Sequence, residues 1–344
     1  MTDGSGAALL GTRLCPWLQD PLDRLEAARA GGRLGHAWLI KGPPGIGKIN
    51  LALVFAHRLL EDVDPAAPTR PLTAEDAASA FRSRHAPADH HPDLHWIYPE
   101  EDKRTISIEQ IREVAQALSL KGFRGKAKAV VVEPAEAMTA AAANALLKTL
   151  EEPAAQTYLF LISHQPDRLL PTIRSRCQAL IVAPPSEAAA VDWLGIAGDP
   201  TRDALMLLSG RAPLRALALA SEDSLKFISG LDEKINLLSR RRLDAKTLAE
   251  EWVRADVELA LEWLIRRLQR AIRDRARGEG DSKAVTHRRP DPLHNPWLAV
   301  PAEVLFRRLQ SAEGLLDRLG TGTNVELALH VLLLDFQAAN RGRS

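Results

Sequence analysis

The chain has 344 residues, more than one ordinary hydrophobic core holds, so we expect two or three domains. Its 45 lysines and arginines almost balance 44 aspartates and glutamates, which excludes a strong overall attraction to nucleic acid or to a membrane surface. Two distant cysteines, Cys15 and Cys177, exclude a disulfide framework, and no apolar run reaches the ~18 residues of a membrane span. These features predict a soluble protein of the reducing cytoplasm.

In the first half of the chain, predicted helices alternate with predicted strands. Strands are expected at 34–40, 94–98, 128–132, 158–163 and 179–182, and helices at 21–30, 50–60, 107–119 and 139–152. Residues 62–92 are rich in Pro, Ala, Asp and His and read as an insertion with one short helix at 73–82. Alternation of this kind predicts a parallel sheet covered by helices on both faces.

The second half carries no strand pattern. Three short helices are predicted within 186–220 and longer ones beyond, including 257–277, 304–319 and 327–336, with a charged Gly- and Pro-containing loop at 278–296. We therefore divide the chain into an α/β domain at 1–183, a small helical domain at 184–221 and an all-α domain at 222–344.

A glycine-rich loop joins the first strand to the helix that follows it. The spacing G-x4-G-K is met by Gly42, Gly47 and Lys48, with Gly45 between them. In such a loop, backbone N–H groups cradle phosphates and the lysine reaches the outer oxygens. The loop therefore predicts a phosphate site, with ATP or ADP as the expected occupant if one binds.

Two parts needed for hydrolysis are defective. A hydrolysing site needs a Ser or Thr hydroxyl after the lysine to hold Mg²⁺, and this chain has Ile49. Such a site also needs acidic residues after a core strand. Glu133 can supply one carboxylate, but Pro134 follows it and cannot act as a base. The sequence thus predicts a degenerate nucleotide site.

An arginine precedes the last predicted strand, in the run Ile173-Arg174-Ser175-Arg176-Cys177. Arg176 has two interpretations. It is either an arginine finger, which stabilises charge on the γ-phosphate in another subunit and is worth ~10³ to 10⁵ in rate, or a surface arginine in a salt bridge. The spacing alone favours the salt bridge.

Three motifs together resemble the AAA+ clamp-loader subunits: the loop at 42–48, the helix Ala143-Asn144-Ala145-Leu146-Leu147-Lys148-Thr149-Leu150-Glu151-Glu152-Pro153, and Ser175-Arg176-Cys177. The motifs Pro16-Trp17, His36-Ala37 and His91-Pro92-Asp93 narrow the resemblance to the delta-prime family of bacterial DNA polymerase III. The likeness covers about residues 15–220. It implies a RecA-like AAA+ domain, a helical lid and a helical collar.

The resemblance also implies a function in DNA replication. Members of this family look like rigid subunits that do not hydrolyse ATP, and their Ser-Arg-Cys arginine completes the ATP site of a neighbouring ATPase subunit. Arg176 takes that role here. The implied partners are the gamma/tau ATPase subunits and the delta subunit in a hetero-pentamer, and, through the complex, the sliding clamp and primed DNA.

The sequence departs from the clamp-loader pattern at two places. Many such subunits carry a four-cysteine zinc module after the loop helix, whereas residues 62–92 hold no cysteine. Four histidines cluster in or near this segment: His85, His90, His91 and His95. A four-histidine structural site is unusual, so we predict no zinc. At the lid, Leu214 occupies the place of an arginine that senses the γ-phosphate, unless Arg211 or Arg215 substitutes.

A basic stretch precedes the predicted loop at 278–296: Arg266, Arg267, Arg270, Arg273, Arg275 and Arg277. It reads either as a DNA-phosphate contact or, with greater weight, as the solvated face of a helix.

The rival to a clamp-loader subunit is a self-sufficient AAA+ ATPase, a remodelling or recombination motor that turns over its own ATP through Lys48 and Glu133. Ile49 and Pro134 oppose it, and we expect no intrinsic ATPase activity.

Overall fold

The computed structural model describes residues 10–82, 91–100, 103–119, 127–197, 202–276, 300–319 and 322–338. The chain forms two compact units. One consists of Met1–Gly195 with Ala212–Ala218, and the other of Ile196–Arg211 with Leu219–Ser344. The first unit is α/β, and within the described ranges the second contains helices and no strand.

The described residues of the first unit contain seven strands: β1 (Arg13–Leu14), β2 (Ala37–Lys41), β3 (Arg70–Pro71), β4 (Leu94–Ile97), β5 (Lys128–Val132), β6 (Thr157–Ser163) and β7 (Gln178–Ile181). Five of them form one sheet in the order β4-β5-β6-β2-β7, and all neighbours are parallel. The carboxyl ends of these five strands therefore meet at one edge. The predicted fold class, a parallel α/β sheet followed by helices, is confirmed.

The helices in chain order are α1 (Gln19–Ala30), α2 (Lys48–Leu60), α3 (Ala74–Arg82), α4 (Ile108–Ser119), α5 (Ala140–Glu151), α6 (Pro171–Arg174), α7 (Glu187–Leu194), α8 (Arg202–Ser209), α9 (Pro213–Leu219), α10 (Glu222–Ser239), α11 (Ala245–Ala255), α12 (Val257–Ala276), α13 (Ala302–Asp317) and α14 (Val325–Ala338). Most boundaries lie within two residues of the predicted ones. The four-residue helix α6 was not predicted, because one turn carries no periodicity to read.

Capping residues fix where two helices of the first unit begin. The Ser107 N–H donates to Gln110 Oε1 at 2.9 Å, and the Gln110 N–H donates back to Ser107 Oγ at 3.4 Å, which together form a capping box. At α5 the Ala142 N–H donates to Thr139 Oγ1 at 3.2 Å. These side chains satisfy N–H groups that have no partner within the helix.

The sheet is buried on both faces. Along β5, Ala129 and Val131 pack into the core beneath α1 and α2, while Val130 and Val132 pack into a second core beneath α4 and α5. Successive side chains of a strand point to opposite faces, so a central strand of a two-sided sheet must be apolar throughout. This accounts for the continuous apolar run in the sequence.

A separate pair of short strands, β1 and β3, ties the start of the chain to the insertion. The pair is parallel, with Arg13 opposite Arg70. The buried amide of Asn50 holds this start from inside: its Nδ2 donates to the carbonyls of Leu10 and Arg13, each at 2.8 Å, and its Oδ1 accepts from the Cys15 N–H at 2.8 Å. Two-residue strands leave no alternation in the sequence, so this pair was not predicted.

The second unit packs its helices around one apolar core that contains Trp252 and Trp263, whose rings meet edge to face at 6.4 Å. The predicted solvated face of α12 is wrong at Arg267, which is 2% exposed and donates through Nε to Asp232 Oδ1 at 2.9 Å. A buried guanidinium needs such a partner, and Asp232 lies on α10. The pairing could not be read from the charge pattern of one helix.

Some predictions concern residues outside the described ranges. The loop expected at 278–296, Arg277 of the basic stretch, and His85 and His90 of the histidine cluster all lie there. Within the ranges that are described, no helix combines the length and apolar character that crossing a membrane requires.

Candidate nucleotide loop and arginine finger

The glycine-rich loop lies where parallel α/β folds place ligands, at the carboxyl edge of the sheet. It begins at Gly42, directly after β2, and ends at Gly47, which precedes the first residue of α2. The Gly42 N–H donates to the carbonyl of Ser163 at 3.3 Å, at the end of the neighbouring strand β6. The predicted loop residues Gly42, Gly45 and Gly47 are thus brought together with Lys48 at one site.

Lys48 is turned onto its own loop. Its ammonium donates to the carbonyl oxygen of Gly42 at 2.7 Å and to that of Pro43 at 2.5 Å, and the residue is 2% exposed. Burial lowers the pKa of Lys48 from 10.5 to about 8, while Glu133 and Glu136 oppose the shift. Two carbonyl oxygens therefore face the group that, in a phosphate site, would face a phosphate.

The structure places the two defective positions as the sequence suggests. Ile49 is 4% exposed and belongs to the apolar core, so no hydroxyl reaches the loop from this position. Glu133 follows β5, half-buried, and its N–H donates to the carbonyl of Ile97 at 2.9 Å. Its charge acts on Lys48. Pro134 comes next and offers no carboxylate. These residues do not fit a magnesium-bound triphosphate.

A second segment closes on the loop at Gly45. The Leu214 N–H donates to the Gly45 carbonyl at 3.1 Å, and a Cβ added to Gly45 would lie 2.6 Å from the Cβ of Arg215. Leu214, at the position of the expected phosphate sensor, thus contacts the loop with its backbone. Arg215 lies beside the loop.

The indole of Trp17 holds the loop from the other side. Its Nε1 donates to the carbonyl of Ile46 at 2.9 Å, and its ring meets that of Trp193 edge to face at 5.1 Å. Trp193 Nε1 in turn donates to the carbonyl of Leu72 at 2.8 Å. Two adjacent loop carbonyls, those of Gly45 and Ile46, are therefore fixed by groups outside the loop.

Three polar residues at this edge were missed from the sequence: Glu136, Ser163 and His164. The N–H groups of His164 and Gln165 donate to Glu136 Oε1 at 2.8 Å and 3.0 Å. Burial and, to a smaller extent, the charge of Lys48 together lower the pKa of His164 from 6.5 to about 4, while Glu136 opposes both effects. Ser163 and His164 end a predicted strand, so the meeting of carboxyl ends at one edge was the signal that could have found them.

Arg176 lies on the surface, between α6 and β7. Its guanidinium forms an ion pair with Glu151 at 2.6 Å and donates to the carbonyl of Thr172 at 3.0 Å. The side chain of Arg176 is 36% exposed and that of Glu151 is 50% exposed. The salt bridge expected under the simpler interpretation is present, in a position that leaves the guanidinium open to solvent.

Arg176 and the loop lie at opposite edges of the sheet. Arg176 precedes the amino end of β7, whereas Gly42 follows the carboxyl end of β2, and the two strands are neighbours in parallel register. Four strand residues at ~3.3 Å each separate these ends by ~13 Å, which exceeds the reach of an arginine side chain. Arg176 cannot serve the loop of its own chain.

The histidine cluster gathers no metal-binding set in the described part of the chain. No group of three or more His, Cys, Asp or Glu side chains there is arranged to hold a metal ion. His91 Nε2 lies 3.6 Å from Glu61 Oε1, and His91 Nδ1 accepts from the Asp93 N–H at 3.1 Å.

Comparison with known proteins identifies relatives. A family model described as DNA polymerase III, delta subunit, matches residues 18–186. The DNA polymerase III subunit delta' of Pseudomonas aeruginosa is 37% identical over 254 residues, which cover 72% of this chain and 74% of that protein. Its counterpart in Escherichia coli K12 is 39% identical over 215 residues, 62% of each chain. That of Yersinia pestis is 34% identical over 262 residues, 72% of this chain and 73% of the relative. This chain belongs to the DNA polymerase III delta' subunit family.

Proposed function

We propose that the chain is a non-hydrolysing stator of a bacterial clamp loader and that Arg176 acts as an arginine finger on a neighbouring ATPase subunit. The observation that carries the proposal is the placement of Arg176: it is exposed, and it lies at the sheet edge opposite its own loop. A cation in that position can meet only a phosphate of another molecule. Such a finger stabilises charge on the transferred phosphoryl group.

The chain's own loop serves as structure in this proposal. Lys48 is bound by loop carbonyls, Gly45 and Ile46 are held from outside the loop, and Ile49 is in the core. We therefore propose that function requires no nucleotide, magnesium or zinc in this chain. A self-sufficient ATPase is not favoured, because the relatives are named as DNA polymerase III subunits and the loop lacks its catalytic groups.

The partners follow from the family. The proposed complex is a pentamer with gamma/tau ATPase subunits and a delta subunit, which opens a sliding clamp and leaves it on primed DNA in the cytoplasm. We keep the division into a RecA-like AAA+ domain at 1–183, a lid at 184–221 and a collar at 222–344 as part of the proposal. The collar would join the chain to its neighbours.

The test is DNA-stimulated ATP turnover by a loader reconstituted with the partner subunits of the same organism. Arg176→Ala should lower turnover by at least about a third, because one of the three ATPase subunits in the proposed pentamer loses its finger while the other ATP sites stay intact. Arg174→Ala is the matched control. Arg174 is also a surface arginine, paired with Asp167 at 3.2 Å, and its loss should leave turnover at the native level.

Two results would contradict the proposal. Turnover by the purified chain alone would make it an ATPase in its own right. Equal turnover in loaders carrying native protein and Arg176→Ala, with assembly verified by gel filtration, would make the chain a purely structural subunit.

A further inference from the structure

We propose that Glu151 is an internal anion that holds the finger of Arg176 until the phosphate of a neighbouring subunit displaces it. This inference rests on the proposed function of Arg176. The inference concerns the ion pair with Glu151, which Arg176 must break when it binds a phosphate of the neighbouring subunit.

The geometry of the pair leaves the guanidinium engaged by its own chain. One terminal nitrogen, Nη2, lies 2.6 Å from Glu151 Oε1, and the other, Nη1, donates to the carbonyl of Thr172 at 3.0 Å. Arginine binds a phosphate most strongly through two parallel N–H donors. Glu151 Oε1 therefore occupies a donor of Nη2 that a two-point phosphate contact would use, so the carboxylate and the phosphate compete for this nitrogen.

Charge leads to the same conclusion. A finger stabilises the transition state because its positive charge faces negative charge that develops on the phosphoryl group. A carboxylate 2.6 Å away cancels much of that positive charge and repels the phosphate. Glu151 in its present position thus opposes the role of Arg176, so the two states of the arginine are alternatives.

The pair is suited to exchange. Both side chains are well exposed, 36% for Arg176 and 50% for Glu151, and exposed ion pairs are weak. A phosphate with more than one negative charge and a fixed position can replace such a partner. Glu151 is the last residue of α5, a helix that begins with a capped turn and packs into the core beneath the sheet, so the carboxylate is anchored close to the finger.

The experiment compares Glu151→Gln with Glu152→Gln in the reconstituted loader. Gln is nearly the same size as Glu and removes only the charge. Glu152 is the adjacent exposed carboxylate and forms no ion pair with any residue in the described ranges. Glu151→Gln should lower the ATP concentration that gives half-maximal turnover by about two- to fivefold, the size expected for an exposed ion pair. Glu152→Gln should leave it unchanged.

Salt provides a second readout. The difference between native protein and Glu151→Gln should shrink as the salt concentration rises from ~0.05 M to ~0.5 M, because screening weakens an exposed ion pair. In an Arg176→Ala background, Glu151→Gln should leave the ATP concentration for half-maximal turnover unchanged, because the guanidinium that pairs with the carboxylate is absent.

Each result decides the question. If Arg176→Ala alone leaves turnover unchanged, the proposed function fails and this inference fails with it. If Arg176→Ala lowers turnover but Glu151→Gln behaves like Glu152→Gln, only the competition by Glu151 is overturned. A fall in turnover with Glu151→Gln would likewise overturn it, because the carboxylate would then support the finger.

Discussion

The ammonium of Lys48 lies 2.7 Å from the carbonyl oxygen of Gly42, so the lysine of the glycine-rich loop is bound by the loop that should present it to a phosphate. In a phosphate site, the loop turns N–H groups inward and the lysine reaches across them. Here the lysine also has two carbonyl partners within the loop, those of Gly42 and Pro43. Lys48 therefore satisfies two backbone acceptors of the loop as well as closing its end.

Burial of Lys48 makes stability depend on alkaline pH. Its pKa falls from 10.5 to about 8 on folding, so between these values the unfolded chain holds the proton more tightly, and stability rises with pH across this window. The shift corresponds to a rise of about 3 kcal/mol. Urea unfolding of native protein and Lys48→Met at pH 7.5 and pH 10.5 measures it as a difference: between the two pH values the native protein should gain about 3 kcal/mol relative to Lys48→Met. The comparison cancels the effect of the buried thiols of Cys15 and Cys177, whose raised pKa values act in the opposite direction in both proteins. Parallel changes in both would show that Lys48 ionises normally.

His164 makes stability depend on acidic pH. Burial lowers its pKa from 6.5 to about 4, so the folded chain holds a neutral ring while the unfolded chain takes up a proton as pH falls below 6.5. Stability is therefore lost between pH 6.5 and pH 4, by about 3 kcal/mol at most. His164→Gln should remove this part of the acid sensitivity. Urea unfolding of both proteins at pH 7 and pH 5 tests it, and an equal loss in the variant would contradict the assignment.

The sequence predicted the sheet and its helices because their signals are local. An apolar run such as Lys128–Val132 and a capping pair such as Ser107 with Gln110 lie within one segment. The sequence also placed Arg176 just before the last strand, whereas its position at the edge opposite the loop rests on the observed pairing of β2 with β7. The pairing of Arg176 with Glu151 could not be predicted. The two residues lie 25 positions apart on different elements, and a local sequence pattern at one residue carries no information about the other.

The hydrogen bonds from Lys48 to the carbonyls of its own loop could not be predicted either. The spacing of Gly42, Gly47 and Lys48 does not show which partners the lysine takes, because a side-chain hydrogen bond to a backbone carbonyl leaves no trace in residue identity. The contacts that hold the loop in place come from Trp17 before it and Leu214 far after it. Only the folded chain brings these three parts together.

Gly45 should tolerate no side chain, for two separable reasons. Its φ of +75° disfavours any L residue, and a Cβ there would lie 2.6 Å from the Cβ of Arg215. Gly195, at φ +68°, has no atom within 4 Å of an added Cβ, so it isolates the backbone term. Thermal unfolding should show Gly195→Ala losing about 1 kcal/mol and Gly45→Ala about 2 to 4 kcal/mol. Equal losses would mean that the contact with Arg215 does not confine the loop.

The amide of Asn50 should matter far more than an exposed amide with similar bonds. Asn50 is 0% exposed and makes three hydrogen bonds of 2.8 Å, to the backbones of Leu10, Arg13 and Cys15. Replacing it with Leu leaves two carbonyls and one N–H buried without partners, each of which costs about 1 kcal/mol or more, so we expect a loss of about 3 kcal/mol.

Gln19 is the control, because its exposed amide makes two side-chain hydrogen bonds, of 2.7 Å and 2.9 Å, and water can replace them. Gln19→Ala should therefore change the free energy of unfolding by less than about 1 kcal/mol. Urea unfolding of the two variants measures both free energies of unfolding. Similar losses of this free energy would mean that apolar contacts hold residues 10–15 in place and that the hydrogen bonds of Asn50 contribute little.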